Sequence, residues 1–69
     1  MITFELEDSA YIELNNLLKI TGLVSSGGLA KALIADGLVT VDGQVELRKR
    51  CKIRAGQQVV FNDRQVTVV

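Results

Sequence analysis

A chain of 69 residues, 48% apolar and 23% charged, has the composition of one folded globular domain, and a core of that size is worth only about 3 to 5 kcal/mol, with little room for a deep catalytic pocket. Eight acidic residues cancel eight basic ones, a total that by itself speaks against a nucleic-acid partner. With no histidine and one cysteine, Cys/His metal sites and an internal disulfide are excluded, and a reducing cytosol is the expected compartment.

The chain opens with MITFELEDSA, which is acidic and lacks a sustained apolar segment, so no secretory signal is expected. No apolar run anywhere approaches the roughly 20 residues that a membrane-crossing helix needs, so no membrane partner is expected. Ile2, Phe4 and Leu6 alternate with Thr3, Glu5 and Glu7, which predicts a half-buried strand. The same alternation turns Glu5 and Glu7 to solvent beside Asp8, and no metal is assigned to this acidic group.

Between Ile12 and Thr21, Leu14, Leu17 and Leu18 stand at i, i+3 and i+4. That spacing predicts a short amphipathic helix, and Gly22 is placed to end it. A second helix follows, with Ser25 or Ser26 as its cap, Ala30, Leu33 and Ile34 on its apolar stripe, and Gly37 as its left-handed stop. Gly27 and Gly28 in its first turn leave backbone N–H groups open to an approaching phosphate, and Lys31 lies one turn on. Loose helix start and anion contact are both consistent with this stretch.

Val39 to Val41 reads as a strand and Asp42-Gly43 as a turn. A strict two-residue hairpin there pairs Val41 with Gln44 and puts apolar and polar residues on one face, so a wider or bulged turn is expected. A later pair of strands around Asn62-Asp63 is self-consistent, with Val59 opposite Val66. Proline is absent and nothing resembles a linker, so residues 1–69 are expected to form a single domain.

LRKRCKIRA, residues 47 to 55, is the most informative stretch. Arg48, Lys49, Arg50, Lys52 and Arg54 are five of the chain's eight bases, and no acid lies among them. At a period of two, Arg48, Arg50, Lys52 and Arg54 fall on one side and Leu47, Cys51, Ile53 and Ala55 on the other, with Lys49 alone breaking the pattern. An extended strand would set these four cations about 6.6 to 7 Å apart, a spacing comparable to that of backbone phosphates. Solvated edge strands also use basic residues, but four cations in line repel one another unless something anionic neutralises them. The inward side of the alternation makes Cys51 a small buried hydrophobe rather than a reactive thiol.

No nucleophile–base pair, Walker loop or dinucleotide fingerprint is present, so no catalytic residue and no cofactor is assigned. Phe4, Tyr11 and Phe61 are the only aromatics, too few for a platform that stacks unpaired bases. What remains is a binder that reads shape and phosphate.

From Ile12 to Phe61 the order of features resembles a known family, the ribosomal protein S4-like RNA-binding domain, also called the alpha-L motif. A short helix, a glycine, a serine-capped helix with A-K-x-L-I-x-x-G, then V-x-V-D-G and a late A-G-Q-x-V carry the likeness. It is similar in particular to small stand-alone bacterial members in which R-K-R-C-K-I is also found. The resemblance implies an α+β fold of two short helices packed on a small mixed or antiparallel sheet. It also implies RNA contact through Ser25, Ser26 and Lys31 of the second helix, with Lys49, Arg50, Lys52 and Arg54 adding a basic patch. The chain departs from the family where it has Glu13 and Asn15 in the first helix and Gly27 and Gly28 in the second, and fewer phosphate contacts follow. The expected partner is structured RNA, a stem-loop or junction of the kind found in ribosomal RNA, gripped by the basic strand and the second helix. The alternative is an adaptor that docks an acidic protein through the same cations.

Overall fold

The computed structural model describes residues 2–69. Ile2–Phe4 forms β1, Ile12–Glu13 forms β2, Leu14–Ile20 forms α1 and Gly27–Ala35 forms α2. Five strands follow: β3 (Val39–Val41), β4 (Gln44–Val45), β5 (Lys52–Ile53), β6 (Gln58–Phe61) and β7 (Arg64–Val68). The main sheet has the order β1-β7-β6-β3-β4, parallel only between β1 and β7, and β2 pairs with β5 in a separate antiparallel ribbon. The expected two helices on a mixed sheet are present.

Each helix is too short to persist alone, so packing must hold it. Leu14, Leu17 and Leu18 are fully buried on α1, and Ala30 and Ile34 on α2. Each large side chain so buried contributes about 1.5 to 3 kcal/mol relative to exposure. Both helices stop as their glycines predict. Gly22 and Gly37 have φ of 79° and 77°. Gly22 N–H donates to Lys19 O and Leu23 N–H to Leu18 O, and Gly37 and Leu38 repeat the pattern on Ile34 and Leu33. These are Schellman stops, whose left-handed residue a glycine adopts without steric cost.

The helices and sheet close over one core that also includes Leu6, Val24, Val39, Val41, Ile53, Val59, Val66 and Val68. Val59 does pair with Val66 across a two-residue turn at Asn62-Asp63, both with positive φ, as a tight hairpin requires. The first hairpin corrects the sequence reading. Its turn is not widened: Val41 pairs directly with Gln44 and Thr40 with Val45 across Asp42-Gly43. Mixed faces are tolerated because β4 is a two-residue edge strand with both residues exposed, so no core depends on its alternation.

The V-D-G and A-G-Q motifs are tied together physically. Asp42 Oδ1 accepts from Gln58 N–H at 2.9 Å and its Oδ2 from Gln57 Nε2 at 3.3 Å. Gln57 Oε1 in turn accepts from Arg54 N–H at 2.8 Å. This links the β3–β4 turn to the end of the basic segment.

Candidate functional site

The basic segment is not the long strand that its alternation suggests. Only Lys52–Ile53 is strand, while Cys51 N–H donates to Arg48 O at 3.2 Å and closes a turn with Lys49 and Arg50 at its tip. Two causes are visible. Alternation holds a strand only where its apolar side is buried; Ile53 is fully buried, but Leu47 is 58% exposed and Ala55 is exposed. The second cause is competition for the backbone. Glu13, which precedes α1, makes no side-chain cap bond. Instead Leu14 N–H donates to Cys51 O at 2.9 Å and Asn15 N–H to Lys49 O at 3.1 Å, so carbonyls of the basic turn satisfy the helix's open donors. Asn15 is itself buried, and its Oδ1 has no partner, a cost of about 1 to 3 kcal/mol at this joint.

The five cations are not equivalent. Arg48 is clamped to Glu46: Nε donates to Oε2 at 2.9 Å, Nη2 to Oε1 at 3.0 Å, and the Arg48 backbone N–H also to Oε2 at 2.9 Å. These bonds, the side-chain one foremost, hold the Glu46 carboxyl at a pKa of about 2, and the same partner raises that of Arg48. Arg48, a predicted site residue, therefore carries a compensated charge. Lys49, Arg50, Lys52 and Arg54 are exposed, and among the described residues Arg48–Glu46 is the only ion pair. Cys51 is half-buried, with Sγ 3.5 Å from Glu46 Oε1 and from Arg48 Nη2. Burial first, and then Glu46, push its thiol pKa up, the opposite of nucleophile activation.

The β2–β5 ribbon adds a residue that composition alone passed over. Ile12 pairs with Ile53 and Glu13 with Lys52, which carries Tyr11 to the level of Arg54. Lys52 Nζ lies 5.0 Å from the centroid of the Tyr11 ring and Arg54 Cζ 5.7 Å, both within cation–π range. The signal in the sequence is the alternation Tyr11-Ile12-Glu13 just ahead of α1, which opposes the alternation Lys52-Ile53-Arg54.

At α2, Ser26 is the cap: its Oγ accepts from Leu29 N–H at 3.1 Å. Ser25, Gly28 and Lys31 are exposed. A Cβ added at Gly27 or Gly28 would meet nothing within 4 Å, so neither glycine is required by crowding. Gly37, beyond the far end of the helix, stands beside Val45 and Leu47. The predicted contacts thus come from two elements, the start of α2 with Ser25, Ser26 and Lys31, and the segment from Arg48 to Arg54.

No group of three or more Cys, Asp or Glu that could hold a metal ion occurs among the described residues, and no helix there is long and apolar enough to cross a membrane. The sequence profile described as "S4 domain" matches residues 4–69. Over its full 69 residues the chain is 54% identical to the "Putative RNA-binding protein YbcJ" of Escherichia coli strain K12, covering 99% of that protein, and equally to the "Uncharacterized protein YbcJ" of Shigella flexneri. The solution structure of E. coli YbcJ, described as revealing an alfaL motif involved in RNA-binding, superposes with a TM-score of 0.78 at 54% identity, over all of this chain and 87% of that one.

Proposed function

The chain belongs to the S4 domain family, and from that premise we propose that it binds structured RNA, gripping the phosphate backbone with Lys49, Arg50, Lys52 and Arg54 while Ser25, Ser26 and Lys31 make a second contact. A stem-loop or junction in ribosomal RNA is the target class. The observation that carries the reading is the lack of compensation: four exposed cations between residues 49 and 54 have no carboxylate partner, although the chain holds as many acids as bases. Such a patch lowers its self-repulsion when phosphates arrive, and association releases counterions from the nucleic acid.

The division of labour follows from the geometry. Lys49 and Arg50 sit on a turn anchored to α1, and Lys52 and Arg54 on a ribbon anchored through Ile53 to the core. A-form RNA hides its major groove from side chains, so recognition is by shape and backbone more than by base sequence. The side-chain-free first turn at Gly27 and Gly28 suits a phosphate at the start of α2, where the helix dipole also favours negative charge.

A fluorescence-anisotropy titration against an RNA stem-loop and a DNA duplex of equal length, between about 50 and 200 mM salt, tests the reading. Recognition of A-form shape predicts tighter binding to RNA, and four phosphate contacts predict that log K falls against log salt at a slope near −3. Failure to bind either at the lower salt sinks the proposal and leaves the cations to an acidic protein partner.

A further inference from the structure

We infer that Tyr11 is a stacking platform for one unpaired nucleobase of the bound RNA, with Lys52 and Arg54 beside it for that nucleotide's phosphates. The inference rests on the RNA-binding reading and adds the class of nucleotide taken: one outside a base-paired helix.

Strand pairing supplies the first argument. In the β2–β5 ribbon, Ile12 and Ile53 turn to one side and Ile53 is fully buried, so Tyr11, Glu13, Lys52 and Arg54 share the outer side. Tyr11 remains 38% exposed, the only aromatic among the exposed large hydrophobic side chains of the described residues. Two cations oriented on the ring hold it in place, which reduces the ordering cost when a base stacks on it.

Charge supplies the second. Lys52 and Arg54 converge on one ring with no carboxylate bonded to either, so an arriving phosphate relieves their mutual repulsion. Tyr11 also lines a shallow cleft of about 520 Å³, together with Ser9, Glu13 and Asn16. Its polar groups can meet a base edge, whereas the Glu13 carboxylate repels phosphate. Bases inside an A-form helix are stacked and out of reach, so a loop, bulge or overhang must supply this base.

The chain contains one tyrosine and no tryptophan, so its intrinsic fluorescence reports Tyr11 alone. The full chain is titrated with hairpins of one stem that carry an unpaired adenine as a bulge, an overhang or a loop nucleotide. Each has a control with an abasic nucleotide at that position. The expected result is quenching of Tyr11 by at least one adenine form and not by its control, with about tenfold tighter binding by anisotropy, within the range of a single base–aromatic stack. Tyr11→Phe keeps the preference and Tyr11→Ala abolishes it. Equal binding and equal emission for every adenine–abasic pair overturn the platform while leaving RNA binding intact. Binding to none of the hairpins overturns both. The abasic comparison uses the unaltered protein, so it stands even if Tyr11→Ala fails to fold.

Discussion

The β6–β7 hairpin and the basic segment from Arg48 to Arg54 dispose of their backbone in opposite ways. In the hairpin, each strand is bonded on both sides, to its partner and then to β3 or β1, and Val59, Val66 and Val68 are fully buried. The basic segment has a two-residue ladder, and its Lys49 and Cys51 carbonyls are bonded to the first turn of α1. One region is rigid because it is the core; the other is held at a few points and leaves its side chains to solvent. The difference teaches that this domain keeps its core side chains and its uncompensated charges in different segments, so loss of those charges is expected to leave the fold intact.

The largest test of that separation is a buried charge. Val66→Asp places an unpaired carboxylate in the sheet centre, a loss of about 3 to 5 kcal/mol that matches the domain's whole stability. Circular dichroism should show an unfolded chain at room temperature. Leu47→Asp, on the exposed side of the comparison, should stay within about 0.5 kcal/mol of the parent in urea unfolding. A large loss at Leu47 would break the contrast.

Next in size is charge reversal within the segment. Arg50→Glu with Lys52→Glu should weaken RNA binding by at least about tenfold and cut the salt slope from near −3 to near −1.5, while the urea midpoint holds. Unchanged affinity would remove the basic segment from the mechanism. A finer version compares neighbours: Arg50→Ala should reduce the slope by about 0.7 to 0.9, whereas Arg48→Ala, whose charge Glu46 already compensates, should leave it nearly unchanged.

The smallest effect concerns pH. The carboxyl of Glu46 is held at about 2 in the folded chain, below its ordinary 4.5. A lowered folded value means that the pair's contribution is complete above about 4.5 and is lost as pH falls toward 2. Because Arg48 is largely exposed, solvent screens the pair and the effect is modest. Urea midpoints of the parent and of Glu46→Gln should differ at pH 6 and converge near pH 2; a constant gap would contradict the assignment.

Much of this architecture is legible in the residues. The leucine and isoleucine spacing locates both helices, Gly22 and Gly37 their ends, and the Val59–Val66 match the second hairpin, because in each case a buried face enforces the pattern. The readings that differ lie where no core enforces it. At β4 an edge strand accepts mixed faces, and at residues 48–51 the helix's unmet donors outweigh an alternation that buries little. The candidate site is readable as a list of cations. Which of them is silenced depends on Glu46 reaching back across a turn, and the partner of Tyr11 depends on a register between segments far apart in the chain. Neither is a local property of sequence.

The bonds from Leu14 and Asn15 to the carbonyls of Cys51 and Lys49 also bear on the order of assembly. A seven-residue helix nucleates poorly, and this one draws its N-terminal closure from residues that a ribosome adds much later. During synthesis α1 must wait, fluctuating, until the basic turn has left the exit tunnel. The segment that carries the uncompensated charge is therefore also a clasp whose arrival completes the first helix, and contact of such long sequence separation slows folding. A nascent chain ending before Lys49 should lack stable helix at α1, so anchoring of the basic turn and completion of the fold become a single kinetic event.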